Sequence, residues 1–329
     1  MIAAAPAAAF RAMSVEVGIT GSGVSGAEVA RAAVEAETLA EWWEDLFSRF
    51  RPGSALCRLN AADGAPMAAE PAFLDVLAMA REAVFASGGR FDPSVLPALE
   101  AAGYDRDFPL LGRHAAGGQR TPRPAAGRSA WRMVDIDRAA GTVTLPAGMR
   151  IDLGGIAKGA FADLLASRLG HWPGGLVDAG GDLRAWGRAD DGGPWRVAIA
   201  DPLRAGRDLA VADLAGPVRA GGVATSGVLK RRWGAGAHHL IDPGSGLPAD
   251  GALVAVTAFA PTCAAAEVAA KAVLIGAASG NRAAMCGAAR VFGVTRAGDL
   301  IEFEECGEHR DAVTLDDEMD PFGPGDHRA

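Results

Sequence analysis

The residues best able to do chemistry fall in five short stretches of the sequence. In IDLGGIAKG (151–159) a strand-like Ile-Asp-Leu run enters a double-glycine turn and then a helix. Glycines let backbone groups come close to a ligand, and the first turn of a helix offers unpaired N–H groups and a positive dipole end to a phosphate. Lys158 stands at that helix start. The same residues equally make a plain strand-to-helix turn with Lys158 in solvent, and the segment by itself does not decide between the two. In VDAGGDLRAWG (177–187), Asp178 and Asp182 flank Gly180 and Gly181. Carboxylates so placed hold a turn by side-chain bonds to backbone, the simpler reading here, or meet a ligand. GGVATSG (221–227) precedes AHHLIDPGSGLP (237–248), where His238 and His239 are adjacent. Neighbours on a strand point to opposite faces, so at most one of the two faces a given cleft. In APTCAAAEVAAKAVLIG (260–276), Thr262 suits a helix N-cap, and Glu267 and Lys271 form an i, i+4 pair whose bland role is a helix-surface ion pair. No HExxH or comparable spacing makes a metal site from His114, His171 or the His238–His239 pair.

These stretches need elements to hold them. Apolar residues at helical spacing predict helices over 26–50 (Leu39, Trp43, Leu46, Phe50 on one face), 71–87 (Phe73, Leu77, Ala80, Val84), 155–169 and 260–276. Short β-type runs lie at 15–19, 133–136, 175–177, 195–200, 253–259 and 290–294. The Gly/Pro-rich segment 114–128 reads as a mobile loop, and the acidic residues 307–329 as a disordered tail after a single domain over 1–306. Without an internal repeat or a regular βαβ alternation, the fold class expected is α+β rather than a doubly wound sheet.

Composition narrows the function. The chain has 329 residues, 50% hydrophobic, enough for a real core, although its apolar count leans on Ala and only 6% is aromatic. A formal charge of −8 with no Lys/Arg run argues against a nucleic-acid binder. Cys57, Cys263, Cys286 and Cys306 are widely spaced with no CxxC pair, which fits a reducing compartment better than a disulfide framework. The first ten residues lack the basic start, apolar run and cysteine of an export signal or lipid anchor, and no apolar run is long enough to span a bilayer, so a cytoplasmic protein is expected.

Taken in order along the chain, these segments and three earlier ones carry a resemblance. FRAM (10–13) looks like an opening strand motif, FSRFRPGSALCRLN (47–60) resembles an S-x-L-S-R-L-N turn, and FDPSVLPALEAAGYD (91–105) is similar to FDPTVGPL. Followed by IDLGGIAKG, VDAGGD, VATSG, H-x-IDP and APT, they resemble the ApbE-like family of FAD:protein FMN transferases over residues 10 to about 303. Each motif is short, and their shared order is what makes the match specific.

The resemblance implies an ApbE-like fold: one α+β unit of two intimately packed subdomains with the nucleotide in the cleft between them. It implies cleavage of FAD at its pyrophosphate, release of AMP, and FMN joined by a phosphoester to Ser or Thr of an acceptor flavoprotein. By motif position the FAD contacts are Met13, Phe50, Arg90, Phe91, Asp92, Asp152, Lys158 and Ile241, and His239 is the candidate for activating the acceptor hydroxyl, a task that an imidazole near its ordinary pKa suits. A non-catalytic flavin carrier and an FAD hydrolase are the competing readings. No D-x-x-[ST]-G-A-[ST] motif is present in the chain itself, so self-modification is not expected.

The resemblance also implies magnesium, held in the family by a main-chain carbonyl of the glycine turn and an Asp-x-x-x-Thr pair on a helix. Those places here are Gly155, Glu267 and Lys271. A glutamate still offers oxygen, but a charged lysine cannot ligate. In one version magnesium sits on Gly155 and Glu267 while Lys271 turns aside. In the other, Lys271 pairs with Glu267 and puts an ammonium where the ion would sit. The first is the reading adopted from sequence.

Overall fold

The computed structural model describes residues 5–111, 123–214, 221–234, 236–278 and 287–303. The acidic tail, residues 114–122 of the Gly/Pro-rich segment, Cys286 and Cys306 lie outside them.

A hairpin opens the chain. Strands β1 (Ala7–Ala12) and β2 (Val15–Ser22) are joined by Met13 and Ser14, whose φ angles of 49° and 60° make the left-handed two-residue turn that matches strand twist. Ser25 then starts α1 (Gly26–Phe47): its hydroxyl accepts from the Glu28 N–H while the Glu28 carboxylate accepts from the Ser25 N–H at 2.8 Å, a reciprocal cap. The helix ends before residue 50 because Ser48 is extended, which leaves Phe50 beyond the helix rather than on its face.

Helices α2 (Ala55–Ala61), α3 (Pro71–Ala86) and α4 (Leu96–Ala101) follow. The FDP segment, given no element from sequence, forms a 3-10 turn at Pro93–Val95 that leads into α4. Residues 151–153, read as strand-like, join no sheet. Asn60 accounts for this: its side chain accepts from the Ile151 N–H and donates to the Ile151 carbonyl, both at 2.8 Å, while the Asp152 N–H donates to the Pro93 carbonyl at 2.8 Å. The backbone bonds a strand would seek are thus met by a side chain and a loop. Likewise the strand expected at 133–136 is only Asp135–Asp137, the middle-to-edge partner of Thr142–Thr144 in a small three-stranded sheet.

After α5 (Ala157–Leu169) come β3 (Gly174–Ala179), β4 (Leu183–Gly187), β5 (Gly222–Gly227), β6 (Leu253–Ala260), α6 (Cys263–Ala278), β7 (Arg290–Thr295) and β8 (Leu300–Phe303). The main sheet is eight-stranded, its order follows the chain from β1 to β8, and each neighbouring pair is antiparallel. Every residue of β6 is buried, so this strand is covered on both faces. Val256, Ala258 and Ala260 pack with Ala266, Ala269, Ala270 and Val273 of α6, and small side chains let the helix lie close. Phe259 turns the other way, onto Phe292 of β7 and Ile199 of a hairpin formed by Arg196–Ala200 and Asp208–Asp213. The larger core joins β2 and β3 to α1, α2, α3 and α5 through residues such as Val17, Trp43, Phe73 and Phe161. This is a mixed α+β architecture, and no helix among the described residues is long and apolar enough to cross a membrane.

Candidate active site

A cavity of about 680 Å³ opens between the end of α1, the 90–110 segment, the start of α5, the 239–243 segment and the side of α6. Its size suits a ligand larger than a single phosphate. Asp152, Gly154, Gly155 and Lys158 line it from the glycine turn; Arg90, Phe91 and Asp92 from the FDP segment; His239 and Ile241 from the H-x-IDP stretch. Met13 and Phe50 complete the set, so the nine proposed nucleotide and catalytic residues share one cavity. Glu267 lies behind the wall, fully buried, while Lys271 reaches the surface of the cavity.

The polar centre of the site depends on how closely α5 crosses α6. A Cβ on Gly159 would stand 2.7 Å from backbone atoms of Ala264, so only glycine allows the approach. The approach brings the Gly159 N–H to Glu267 Oε2 at 2.9 Å. Asp163, one turn along α5, accepts from the N–H groups of Cys263 and Ala264 at 2.9 Å each and caps α6, and the Thr262 hydroxyl accepts from Ala265.

Lys158 then bridges two carboxylates, Asp182 and Glu267, through its Nζ, and Lys271 Nζ donates to Glu267 Oε1 at 3.0 Å. Asp182 is delivered by the tight turn between β3 and β4. Gly180 and Gly181 adopt φ of 71° and 93°, and Asp178 accepts from the Gly181 N–H at 2.6 Å. The sequence reading favoured a purely turn-forming role for this stretch. Asp178 has that role, whereas Asp182 is a member of the buried charge cluster.

Electrostatics follow from this packing. Burial works against every charge in the cluster, yet the carboxylates on either side hold Lys158 protonated well above its ordinary range. Burial likewise opposes ionisation of Glu267, but the Lys158 and Lys271 ammonium groups win and bring its pKa down to about 2. For Lys271, desolvation outweighs its single carboxylate partner and the value falls.

The opposite wall is aromatic and cationic. The Arg49 guanidinium lies over the rings of Phe50 and Tyr104, at 4.2 and 4.4 Å from their centroids, and its Nε stands 3.3 Å from Asp152 Oδ2. Asp152 Oδ1 accepts from the Gly154 N–H at 2.8 Å, which shapes the glycine turn. Asp92 is anchored by the fold: Oδ1 accepts from the Ser94 N–H, the Ser94 hydroxyl and the Trp131 indole. Asp92 Oδ2, Arg49 Nη2 and His239 Nδ1 are buried without a protein partner, so polar groups on this cavity remain unmet by the chain itself.

The two histidines separate. His238 is in a two-residue strand, and its Nε2 lies 2.9 Å from the Ala249 carbonyl, away from the cavity. His239 faces the cavity. Burial, then the positive charges of Arg231 and Lys271, push its pKa well below the ordinary value, so the near-neutral pKa expected from sequence is not what the site provides. At neutral pH the imidazole is unprotonated and able to accept a proton, as a weak base.

The residues at the expected magnesium position do not fit the ion. Lys271 has not turned aside: its stem passes Gly155, whose added Cβ would lie 3.4 Å from Lys271 Cε, and its ammonium holds Glu267. Glu267 Oε1 already receives two ammonium groups and Oε2 a backbone N–H. Magnesium asks for about six oxygens at 2.0–2.1 Å. Among the described residues no group of three or more His, Cys, Asp or Glu side chains gathers to hold a metal. The version adopted from sequence, with the ion on Gly155 and Glu267, therefore gives way to the Glu267–Lys271 pair.

Sequence reasoning missed Arg49, Tyr104 and Arg231. Arg49 and Tyr104 sit inside stretches whose order carried the resemblance, but nothing in their spacing announces that one guanidinium will meet the rings of both Phe50 and Tyr104. Arg231 stands in LKRRW (229–233), a basic triplet too short to count as a charged patch and with no periodicity to orient it.

A sequential antiparallel sheet with a large cavity, built around a glycine turn, a helix start and a buried lysine–carboxylate cluster, defines an α+β protein with a polar site sized for a ligand larger than a single phosphate. The comparisons narrow it. Residues 13–289 match the model of the ApbE family. The chain is 34% identical over 258 residues to the FAD:protein FMN transferase of Treponema pallidum, spanning 71% of this chain and 68% of the relative. It is 31% identical over 257 residues to that of Klebsiella pneumoniae, spanning 75% and 71%. Among solved structures it resembles the Pseudomonas stutzeri flavinyl transferase ApbE in its apo form, with a TM-score of 0.71 at 25% identity over 91% of this chain and 94% of that one. The ApbE protein of Thermotoga maritima shares the fold, with a TM-score of 0.70 at 23% identity over 89% and 95%. The chain belongs to the ApbE family.

Proposed function

We propose that this protein is an FAD:protein FMN transferase and that the cavity is its FAD site. The observation that carries the reading is the convergence of Asp152, Lys158 and His239 on one cavity, in a chain whose relatives bear that activity in their names. The diphosphate of FAD lies at the glycine turn and the start of α5, beside the ammonium groups of Lys158 and Lys271 and the positive end of the helix dipole. Phe50 and Tyr104, tilted at 49° to each other and both in contact with the Arg49 guanidinium, offer aromatic surface for a flavin or adenine ring. Met13, Arg90, Phe91, Asp92 and Ile241 form the rest of the enclosure.

The reaction is phosphoryl-group transfer, so positioning and charge stabilisation carry it. The oxygen of an acceptor Ser or Thr forms a bond to the FMN-side phosphorus, and the bond from that phosphorus to the bridging oxygen breaks. AMP leaves with the bridging oxygen. The hydroxyl proton passes to His239, unprotonated at neutral pH because of its burial among cations. The acceptor is a flavoprotein with a Ser/Thr flavinylation motif. A cytoplasmic setting accords with Cys57 and Cys263, which are free thiols.

The test is incubation of the purified protein with FAD and a Ser/Thr acceptor protein. The acceptor gains one FMN residue with equimolar AMP, and His239→Ala loses both while still binding FAD. AMP formed without acceptor labelling indicates an FAD hydrolase; bound FAD that stays intact indicates a carrier.

A further inference from the structure

The misfit at the metal position has a positive counterpart. Four charged side chains meet behind the glycine turn: the ammonium groups of Lys158 and Lys271 and the carboxylates of Asp182 and Glu267. The cluster is balanced without any added ion. Glu267 is fully buried and already accepts from two ammonium groups and a backbone N–H, so a divalent cation binding at Oε1 displaces an ammonium from its partner, a costly change in a buried pair. Position 271 contributes no ligating oxygen while charged.

Lys271 also has capacity to spare. An ammonium carries three N–H donors, and among the described residues Glu267 is the acceptor that takes one. Lys271 lines the cavity beside Gly155 and Lys158, on the side where the diphosphate is placed by the reading above. Its stem is fixed against the glycine turn rather than free in solvent, so the charge is held in place before a ligand arrives. Preorganised positive charge aimed at phosphate oxygens is what a metal would otherwise supply.

We propose that Lys271 is the resident cation of this active site: its ammonium meets the phosphate oxygens of bound FAD, and binding and cleavage proceed without a divalent metal. The inference rests on the reading of the cavity as an FAD site. It predicts that FAD affinity, read by quenching of flavin fluorescence, and the rate of AMP release agree within about twofold in EDTA and in millimolar magnesium chloride. Lys271→Thr, which removes a charge-assisted bond, weakens FAD binding in EDTA by about tenfold or more, and magnesium recovers part of that loss because a hydroxyl now stands beside Glu267. Lys271→Arg, which keeps the charge, binds FAD in EDTA more tightly than Lys271→Thr. Melting curves of each variant separate a lost contact from a lost fold.

The proposal is overturned if EDTA abolishes FAD binding or AMP release by the unsubstituted protein and magnesium restores it. It is equally overturned if folded Lys271→Thr binds FAD in EDTA as the unsubstituted protein does. Should FAD bind but never yield AMP, with or without magnesium, the transferase reading fails, and the affinity comparison still decides the role of Lys271.

Discussion

Replacing Glu267 by Gln perturbs the buried cluster at its most connected member. The amide keeps the volume but removes the charge that holds Lys271 and shares Lys158 with Asp182. Lys158 retains a direct carboxylate partner, whereas Lys271 does not. Removing one member of a buried pair costs about 3–5 kcal/mol because the other charge is left uncompensated. At about 2 °C per kcal/mol, suitable for a chain of this size, the melting temperature should fall by about 6–10 °C at pH 7. The sign of the pH dependence is fixed as well. In the variant, the folded-state pKa of Lys271 is depressed further below its unfolded value of about 10.4, so the unfolded state binds more protons between the two values and stability rises with pH from neutrality toward that value. Adding Lys271→Met to Glu267→Gln removes the stranded ammonium and should recover at least half of the loss. Differential scanning calorimetry of the two single variants and the double variant measures this cycle. A drop smaller than about 2 °C for Glu267→Gln, or a double variant whose loss equals the sum of the two singles, would refute the reasoning that these groups form one buried unit.

Four further outcomes are expected. Because burial and neighbouring cations hold the His239 pKa well below its ordinary value, the acid limb of the AMP-release profile should lie well to the acid side of an ordinary imidazole, and half-loss of activity near pH 6.5 would contradict the assigned base. By the same linkage the neutral His239 contributes stability that is present above about pH 6.5 and is lost as pH falls toward its lowered value, which acid titration of the melting temperature in His239→Ala and unsubstituted protein compares. Gly159→Ala places a methyl 2.7 Å from the Ala264 backbone and should destabilise by about 1–3 kcal/mol while weakening FAD binding, read by urea titration and flavin fluorescence. Asn60→Ala removes both bonds to Ile151 and should cost about 1–3 kcal/mol and loosen FAD through Asp152, whereas retained affinity would mean the glycine turn does not need its clamp.

The sequence made the helices legible where apolar spacing was regular. Phe73, Leu77, Ala80 and Val84 predicted one buried face of α3, and all four are buried. It failed where side chains replace backbone partners: Ile151–Leu153 looks like a strand because its composition is strand-like, and only the distant Asn60 explains why it is not. The candidate site was legible through motif order, because glycine turns and helix starts are local features. The pairing of Lys158 with Asp182 and Glu267 is not local. It depends on a crossing of α5 and α6 that brings residues 109 positions apart into contact, which neither motif reveals alone. The perturbed pKa of His239 was hidden for the same reason, since its causes lie on four separate segments.

The central claim is that a buried lysine–carboxylate cluster and an unprotonated imidazole direct the FMN phosphorus of FAD onto a protein hydroxyl. Carrying out the reaction in water enriched in oxygen-18, with an acceptor protein present, and weighing both products by mass spectrometry tests it most directly. The account predicts an acceptor heavier by one FMN residue, with no heavy oxygen in the new phosphoester or in AMP. Free FMN carrying oxygen-18, with the acceptor unchanged, would mean that water rather than a protein hydroxyl takes the phosphorus, and the account would be wrong.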